Sequence, residues 1–361
     1  PRRAYPIASR SRRQRSTLRC WSSAYKKDPL EFLATIGLPE DAKKSRALVV
    51  RFSIRKELIH YDRFCIALRR IASIHRQWRA VSPGPRALAF LGHTGTGKTT
   101  ILKFYASQFE RFETTEGPVV PVLYVVMPSR PTIKNLVQAI LYALGDRIRR
   151  ASAEDRTIYL LELLKQCRVE LLIIDEFQHF VDAGQIAEAS RATDWLKNLL
   201  EASSIVMVVA GLPKSATVLE ANPQLTRRFS AHHELRRFDW ALPDDRREFA
   251  GVLKYMQSRL PLPCPELYSP DFAMRMYLAS AGVIDYVAKI IDGAVLRAIE
   301  CGKSRLNLSE FEQAFAEEVW AGGVRRLNPF HPDAELRDLV GPGEPFWYLA
   351  HDVNGNGKKL R

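Results

Sequence analysis

Nine consecutive residues, Gly92-His93-Thr94-Gly95-Thr96-Gly97-Lys98-Thr99-Thr100, fit the spacing G-x-x-x-x-G-K-[ST]. The chemistry of that spacing is the holding of phosphate. Its glycines let backbone N–H groups curl around phosphate oxygens with no Cβ in the way. A helix that starts at the loop adds the partial positive charge of its N-terminus. In that arrangement the Lys98 ammonium reaches the β- and γ-phosphates of ATP, and the Thr99 hydroxyl ligates Mg2+. A second constellation lies downstream, where the apolar run Leu171-Leu-Ile-Ile ends in the adjacent acids Asp175 and Glu176. This has the form of a Walker B strand: Asp175 holds Mg2+, directly or through a water, and Glu176 orients and polarises the attacking water. The plain alternative is a strand that ends in a solvated acidic turn.

Elements of the right kind stand in the right order to position these residues. Ala87–Leu91 reads as a buried strand and Ile101–Phe109 as a helix, the strand, loop and helix that a P-loop requires. Pro118 to Met127 reads as a second buried strand. Ile133, Leu136, Val137, Ile140, Leu141 and Leu144 then recur at helical spacing, with Gly145 ending the helix. Another amphipathic helix covers Ile158 to Cys167, and helical residues from Ala187 to Leu200 lead to a strand at Ser204–Gly211. A strand falls between the P-loop strand and the acidic strand. The alternation predicts an α/β fold, a parallel sheet flanked by helices. From Pro243 the pattern is helical only: Glu248–Leu260, Asp271–Ser280, Gly282–Glu300, and a last helix capped by Ser309 and running to Trp320. We expect a basic extension over 1–60, a nucleotide-binding domain over 61–240, a helical lid over 241–322 and a Pro/Gly-rich tail over 323–361. The tail reads as an extended docking segment or a loose terminus.

Charge is distributed unevenly. Residues 1–86 carry 21 Lys/Arg against 6 Asp/Glu, whereas residues 87–361 carry 33 against 34. The densest part, residues 1–27, has nine basic groups and no acid, with Trp21 and Tyr25 interspersed. Such an arm suits a polyanion, above all nucleic acid; a solvated tail is the alternative. No run approaches eighteen apolar residues, so no transmembrane helix is expected. The five cysteines are scattered without a C-x-x-C pair, which suggests neither a zinc site nor a disulfide framework and fits the cytoplasm.

A P-loop, a Walker B strand ending in Asp-Glu and a helical lid together resemble an AAA+ ATPase. The runs Val119–Val126, Leu171–His179, Val208–Pro213 and Leu225–Phe229, with Asn328-Pro-Phe330, are similar to the TniB/TnsC family of transposon target-selection ATPases. The similarity covers roughly residues 50–330. It implies a matchmaker whose ATP-bound copies assemble on double-stranded DNA as a ring or helical filament. The assembly selects the insertion site, answers to a target-selector protein or RNA-guided complex, recruits a DDE transposase, and is dismantled by hydrolysis. The resemblance also implies a catalytic arginine supplied by one copy to the next, here Arg228, with Arg227 beside it. DNA contacts map to Arg130, Thr132 and Lys134, and to Arg147, Arg149, Arg150 and Ser152. One position departs from the AAA+ pattern: Tyr286 stands where the lid usually offers an arginine, with Lys289 one turn on. Weak or partner-dependent hydrolysis follows. The rival readings are an ExeA-like ATPase of envelope assembly and a non-hydrolysing, nucleotide-switched DNA scaffold.

Overall fold

The computed structural model describes residues 54–56, 58–79, 86–146, 152–182, 186–230 and 232–351. The basic arm, Arg147, Arg149, Arg150 and the last ten residues lie outside them.

Five strands form one parallel sheet. They are β1 (Ala87–Leu91), β4 (Val122–Val126), β5 (Leu171–Asp175), β6 (Val206–Gly211) and the short β7 (His233–Glu234), in the order β4-β5-β6-β1-β7. β6 thus separates the P-loop strand from the acidic strand. Alternate residues of a strand face opposite sides, and both sides are covered. Ala87, Ala89, Leu172, Ile174, Met207 and Val209 pack under α3 (Ile133–Leu144), α4 (Ala153–Gln166) and α6 (Ile186–Ala202). Leu88, Phe90, Leu171, Ile173, Val206 and Val208 pack under α1 (Asp62–Gln77) and α2 (Lys98–Ser107). Burial on both faces is why these strands read as unbroken apolar runs.

The expected single strand over Pro118–Met127 is two. A hairpin of β2 (Phe112–Thr114) with β3 (Gly117–Val119) precedes β4. Pro121 sits at the break, since it has no N–H to give a ladder; its carbonyl accepts from Glu170 N at 2.9 Å and Leu171 N at 3.0 Å. After β5 come α5 (His179–Asp182) and α6, and after β6 the short α7 (Ser215–Glu220) and α8 (Pro223–Thr226).

The lid comprises α9 (Pro243–Ser258), α10 (Pro270–Ser280), α11 (Ile284–Glu300) and α12 (Leu308–Glu318). Its core reaches beyond the expected boundary. Phe330, Leu339 and Phe346 are buried among lid residues, and α13 (Trp347–His351) follows them. Asn328 Nδ2 donates to Glu312 O at 2.7 Å and Arg275 Nη1 to Pro329 O at 2.7 Å. Residues 323–351 are therefore part of the lid, not a loose or extended tail. Ile54, assigned to the extension, is likewise buried in the lid core.

Asn307, not Ser309, caps α12. Its side chain accepts from the third helical N–H while Glu310 reaches back to Asn307 N at 2.7 Å. Glu310 is 1% exposed and also accepts from Ser309 Oγ and Lys303 Nζ. Burial alone would raise its pKa, but the hydrogen bonds from Lys303, Asn307 and Ser309 outweigh it and hold the carboxyl below its usual value. A depressed carboxyl contributes stability above its unfolded pKa and loses it as pH falls through the folded one. Glu310→Gln should cost about 2 kcal/mol at neutral pH, and the gap in melting temperature from wild type should close on acidification below about pH 4. Thermal melts across pH check this; a gap that persists at pH 2 contradicts the assignment.

Candidate functional site

The loop 92–97 leaves the end of β1 and turns into α2, with Gly95 at φ 78° and Gly97 at φ 97°, left-handed values that favour glycine. The loop is also tightly enclosed. A Cβ on Gly92 would lie 2.5 Å from Leu235 O, and one on Gly95 would lie 2.8 Å from a Val283 methyl just before α11. Asp285 N, in the first turn of α11, donates to Gly95 O at 3.1 Å. The lid thus docks directly on the loop.

Lys98 opens α2 and is 8% exposed. Its ammonium donates to Gly92 O at 2.6 Å and His93 O at 2.8 Å. Burial lowers its pKa, with Asp175 and Glu176 pulling the other way. Thr96 Oγ1 donates to His93 O at 2.9 Å, which fixes the loop from within. Asp175, at the end of β5, is buried. Its Oδ2 accepts from Thr99 Oγ1 at 2.7 Å and from Tyr124 OH at 2.9 Å, and its Oδ1 from Glu176 N at 2.9 Å. The Tyr124 hydroxyl is held well above its usual pKa, by burial first and then by Asp175. Glu176 follows with φ 62°, which turns it off the strand axis.

A cavity of about 440 Å3 joins these groups. Thr94, Gly95, Gly97, Lys98, Thr99, Thr100, Glu176 and Gln178 line it on the loop side. Leu58, Ile59, Met256, Ile284 and Ala288 line it from the residues before α1 and from the lid. Gly92, His93 and Thr96 belong to the loop but do not line the cavity; they brace the loop through the bonds of Lys98 to Gly92 and His93 and of Thr96 to His93, and Asp175 bonds to Thr99. The arrangement fits a nucleotide with a divalent cation. The N–H groups of the first turn of α2 have no acceptor within the helix, a buried ammonium stands beside them, a hydroxyl and a carboxylate meet as a pair of hard oxygen donors, and apolar side chains line the rest of the cavity.

Other expected site residues stand apart. Arg228 does not line the cavity. It follows α8, its side chain is 46% exposed, and it pairs with Glu201 at 3.1 Å. Arg130 and Lys134 are exposed at the start of α3, whereas Thr132 caps α3 by accepting from Asn135 N at 3.2 Å. Ser152 caps α4 in the same way, accepting from Asp155 N at 3.0 Å and donating to Asp155 Oδ2. Tyr286, at the departed lid position, packs on Phe346 with centroids 5.3 Å apart. Lys289 pairs with Asp285 at 3.0 Å.

Three residues went unread in the sequence. Tyr124 holds Asp175, and Arg55 reaches Asp285 at 3.7 Å on the cavity rim. Gln178 donates from Nε2 to Glu176 and accepts at Oε1 from Leu212 N at 3.2 Å. Only Gln178 left a sequence signal, a polar residue two positions after Glu176.

A family model described as bacterial TniB protein matches residues 50–240, more than half of the chain. The chain belongs to the TniB family. Solved structures add the fold. The ORC2 protein of Aeropyrum pernix is 16% identical at a TM-score of 0.52, covering 72% of this chain and 68% of that one. Cdc6p of Pyrobaculum aerophilum is 14% identical at 0.52, covering 72% and 67%. The Aeropyrum pernix ORC1 protein, solved in complex with DNA, is 18% identical at 0.50, covering 72% and 66%. The fold is that of the AAA+ P-loop NTPases. No curated protein matches the sequence. Among the described residues no helix is long and apolar enough to cross a membrane.

Proposed function

We propose that this TniB-family chain is an ATP-hydrolysing regulator of DNA transposition. Copies holding ATP and Mg2+ assemble on duplex DNA, select the insertion site with a target-selector protein or RNA-guided complex, and recruit a DDE transposase. Hydrolysis dismantles the assembly. The observation that carries this reading is an incomplete catalytic set. Lys98, Thr99 and Glu176 line one cavity, with Asp175 bonded to Thr99 beneath it, while Arg228 stands exposed outside. A second copy, presenting its own Arg228, would complete the site.

The roles follow from position. Lys98 and the first N–H groups of α2 bind the β- and γ-phosphates. Thr99 and Asp175 would hold the Mg2+, which when bound neutralises charge on the phosphate oxygens. Glu176 takes a proton from the water whose oxygen bonds to the γ-phosphorus as the bond to the β–γ bridging oxygen breaks. Leu58, Ile59, Met256 and Ile284 exclude water around the base. The test is ATP turnover with and without duplex DNA, together with electron microscopy of the same samples. DNA-stimulated turnover and nucleotide-dependent rings or filaments are expected. Turnover indifferent to DNA, with no assembly, contradicts the reading.

DNA contact should be carried by phosphates and be tolerant of sequence. The exposed Arg130 and Lys134 and the α3–α4 connection supply the cations. Each neutralised phosphate releases counterion, so log affinity should fall with log salt by about 0.9 per contact. Lys134→Ala should weaken binding on every duplex alike and flatten that slope by about one. If deletion of residues 1–27 abolishes binding while Lys134→Ala leaves it intact, the DNA site is in the arm.

A further inference from the structure

α1 carries a charged face that the nucleotide site does not use. Phe64, Ala67, Ile71 and Ile74 bury one side of the helix against Leu88 and Phe90 of the sheet. The opposite side presents Ile66, Arg69, Arg70 and Arg76, all exposed, with Ser73 and Gln77 half-buried between them. At 3.6 residues per turn these positions fall within about a third of the helix circumference. Asp62 is the one acid of α1 and lies in its first turn, where a negative charge suits the helix dipole. Arg79, just past the helix, pairs with Glu170 at 3.8 Å. Arg69, Arg70 and Arg76 differ from it: among the described residues no ion pair or side-chain hydrogen bond engages them.

The chemistry of this face selects its partner. A stable protein interface is built around a buried apolar core, and the face offers only Ile66, 44% exposed. A phosphate backbone needs no such core. It takes guanidinium forks, with neutral donors such as a hydroxyl and a carboxamide beside them. Arg69 to Arg76 covers about 10 Å along the helix axis, the run of about three base-pair steps of a duplex. The face is also set apart from the cations of α3. α3 packs on one side of the sheet and α1 on the other, so the sheet separates the two. We propose that the arginine face of α1 holds a second DNA duplex by its phosphates while another lies at α3, so that one assembly brings two duplexes together. The proposal rests on the DNA reading above and is independent of the catalytic roles given to Glu176 and Arg228.

The test loads the full chain, with ATP and Mg2+, on a bead-bound duplex and measures capture of a second, labelled duplex at matched protein load. The wild type should capture it. Arg69→Gln, Arg70→Gln and Arg76→Gln combined should lower capture by about tenfold or more, flatten its salt slope by about 0.9 for each arginine, and leave affinity for the bead-bound duplex within about twofold. Ser73→Glu sets a carboxylate amid the arginines without removing any, and should lower capture in the same direction. It decides alone should the combined variant fail to fold. If the wild type does not bind the bead-bound duplex, the DNA reading itself is overturned. If it binds that duplex but captures no second one, the α1 face alone is overturned. Capture by the variants equal to wild type overturns it as well, and is the result for a face that takes an acidic protein or for a second duplex held by residues 1–27. An equal loss of affinity for both duplexes also overturns it, by making α1 part of the first binding path.

Discussion

Glu176→Gln should bind ATP with an affinity within a few-fold of wild type and turn it over about 10²–10³-fold more slowly, the usual cost of removing a general base. Lys98→Ala should fail one step earlier. Its ammonium is buried between two loop carbonyls at 2.6 and 2.8 Å, and burial already disfavours its charge. A phosphate brought to that place supplies a direct anionic partner where the ammonium now has only neutral carbonyls. Without the cation, affinity should fall by about a hundredfold, corresponding to roughly 3 kcal/mol. Titration with a fluorescent ATP analogue and steady-state phosphate release separate the two variants. Electron microscopy gives an independent view: long-lived DNA-bound assemblies for Glu176→Gln and none for Lys98→Ala. Thermal melts without nucleotide keep a folding defect from passing as a binding defect, since Lys98→Ala also leaves the Gly92 and His93 carbonyls without that donor. Equal turnover in wild type and Glu176→Gln would remove Glu176 from the chemistry.

The groups that could be read from sequence are those whose partners are near in the chain. Residues 92–100 form one continuous loop and helix start, so their types and spacing state their geometry. The pair Asp175–Glu176 is legible because a buried strand has to end where its side chains meet solvent or ligand. Helical spacing located α3 and α11 because each buries one stripe against a neighbour. Residues 323–351 failed for the opposite reason. Phe330, Leu339 and Phe346 follow no period, and their burial depends on a surface made by the lid helices and Ile54. Pro and Gly between them suggested an open chain, whereas hydrogen bonds from Arg275 and to Glu312 fasten it. Asn307 and Ser309, two residues apart, are both good capping types, and Glu310 at the third helical position decides for Asn307. Gln178 spans 34 residues to Leu212, a contact that only the parallel packing of β5 beside β6 creates.

Arg228→Ala should bind ATP normally as an isolated subunit but neither assemble nor hydrolyse, losing about 10³-fold or more in turnover. The structure favours action on a neighbour's nucleotide. The backbone at Arg228 is anchored to the sheet, its carbonyl accepting from Arg86 N and Ala87 N at 3.0 Å each. Its guanidinium is exposed and held by a surface pair with Glu201, which costs only about 0–1 kcal/mol to give up. A rigid base with a tip that is cheap to redirect suits a group that must reach a phosphate across an interface. Glu201→Gln should therefore leave turnover near wild type, whereas Arg228→Lys should not rescue it, because an ammonium lacks the planar fork. Mixing decides whether the arginine acts in trans. Arg228→Ala subunits retain Lys98 and Glu176, and Lys98→Ala subunits retain Arg228, so in an equal mixture about a quarter of the interfaces hold both parts. Turnover that rises from near zero in either variant alone to a clear maximum near equal mixing is the expected result. If no ratio restores it, Arg228 is not the shared residue, and the same complementation with Arg227→Ala becomes the test of its neighbour.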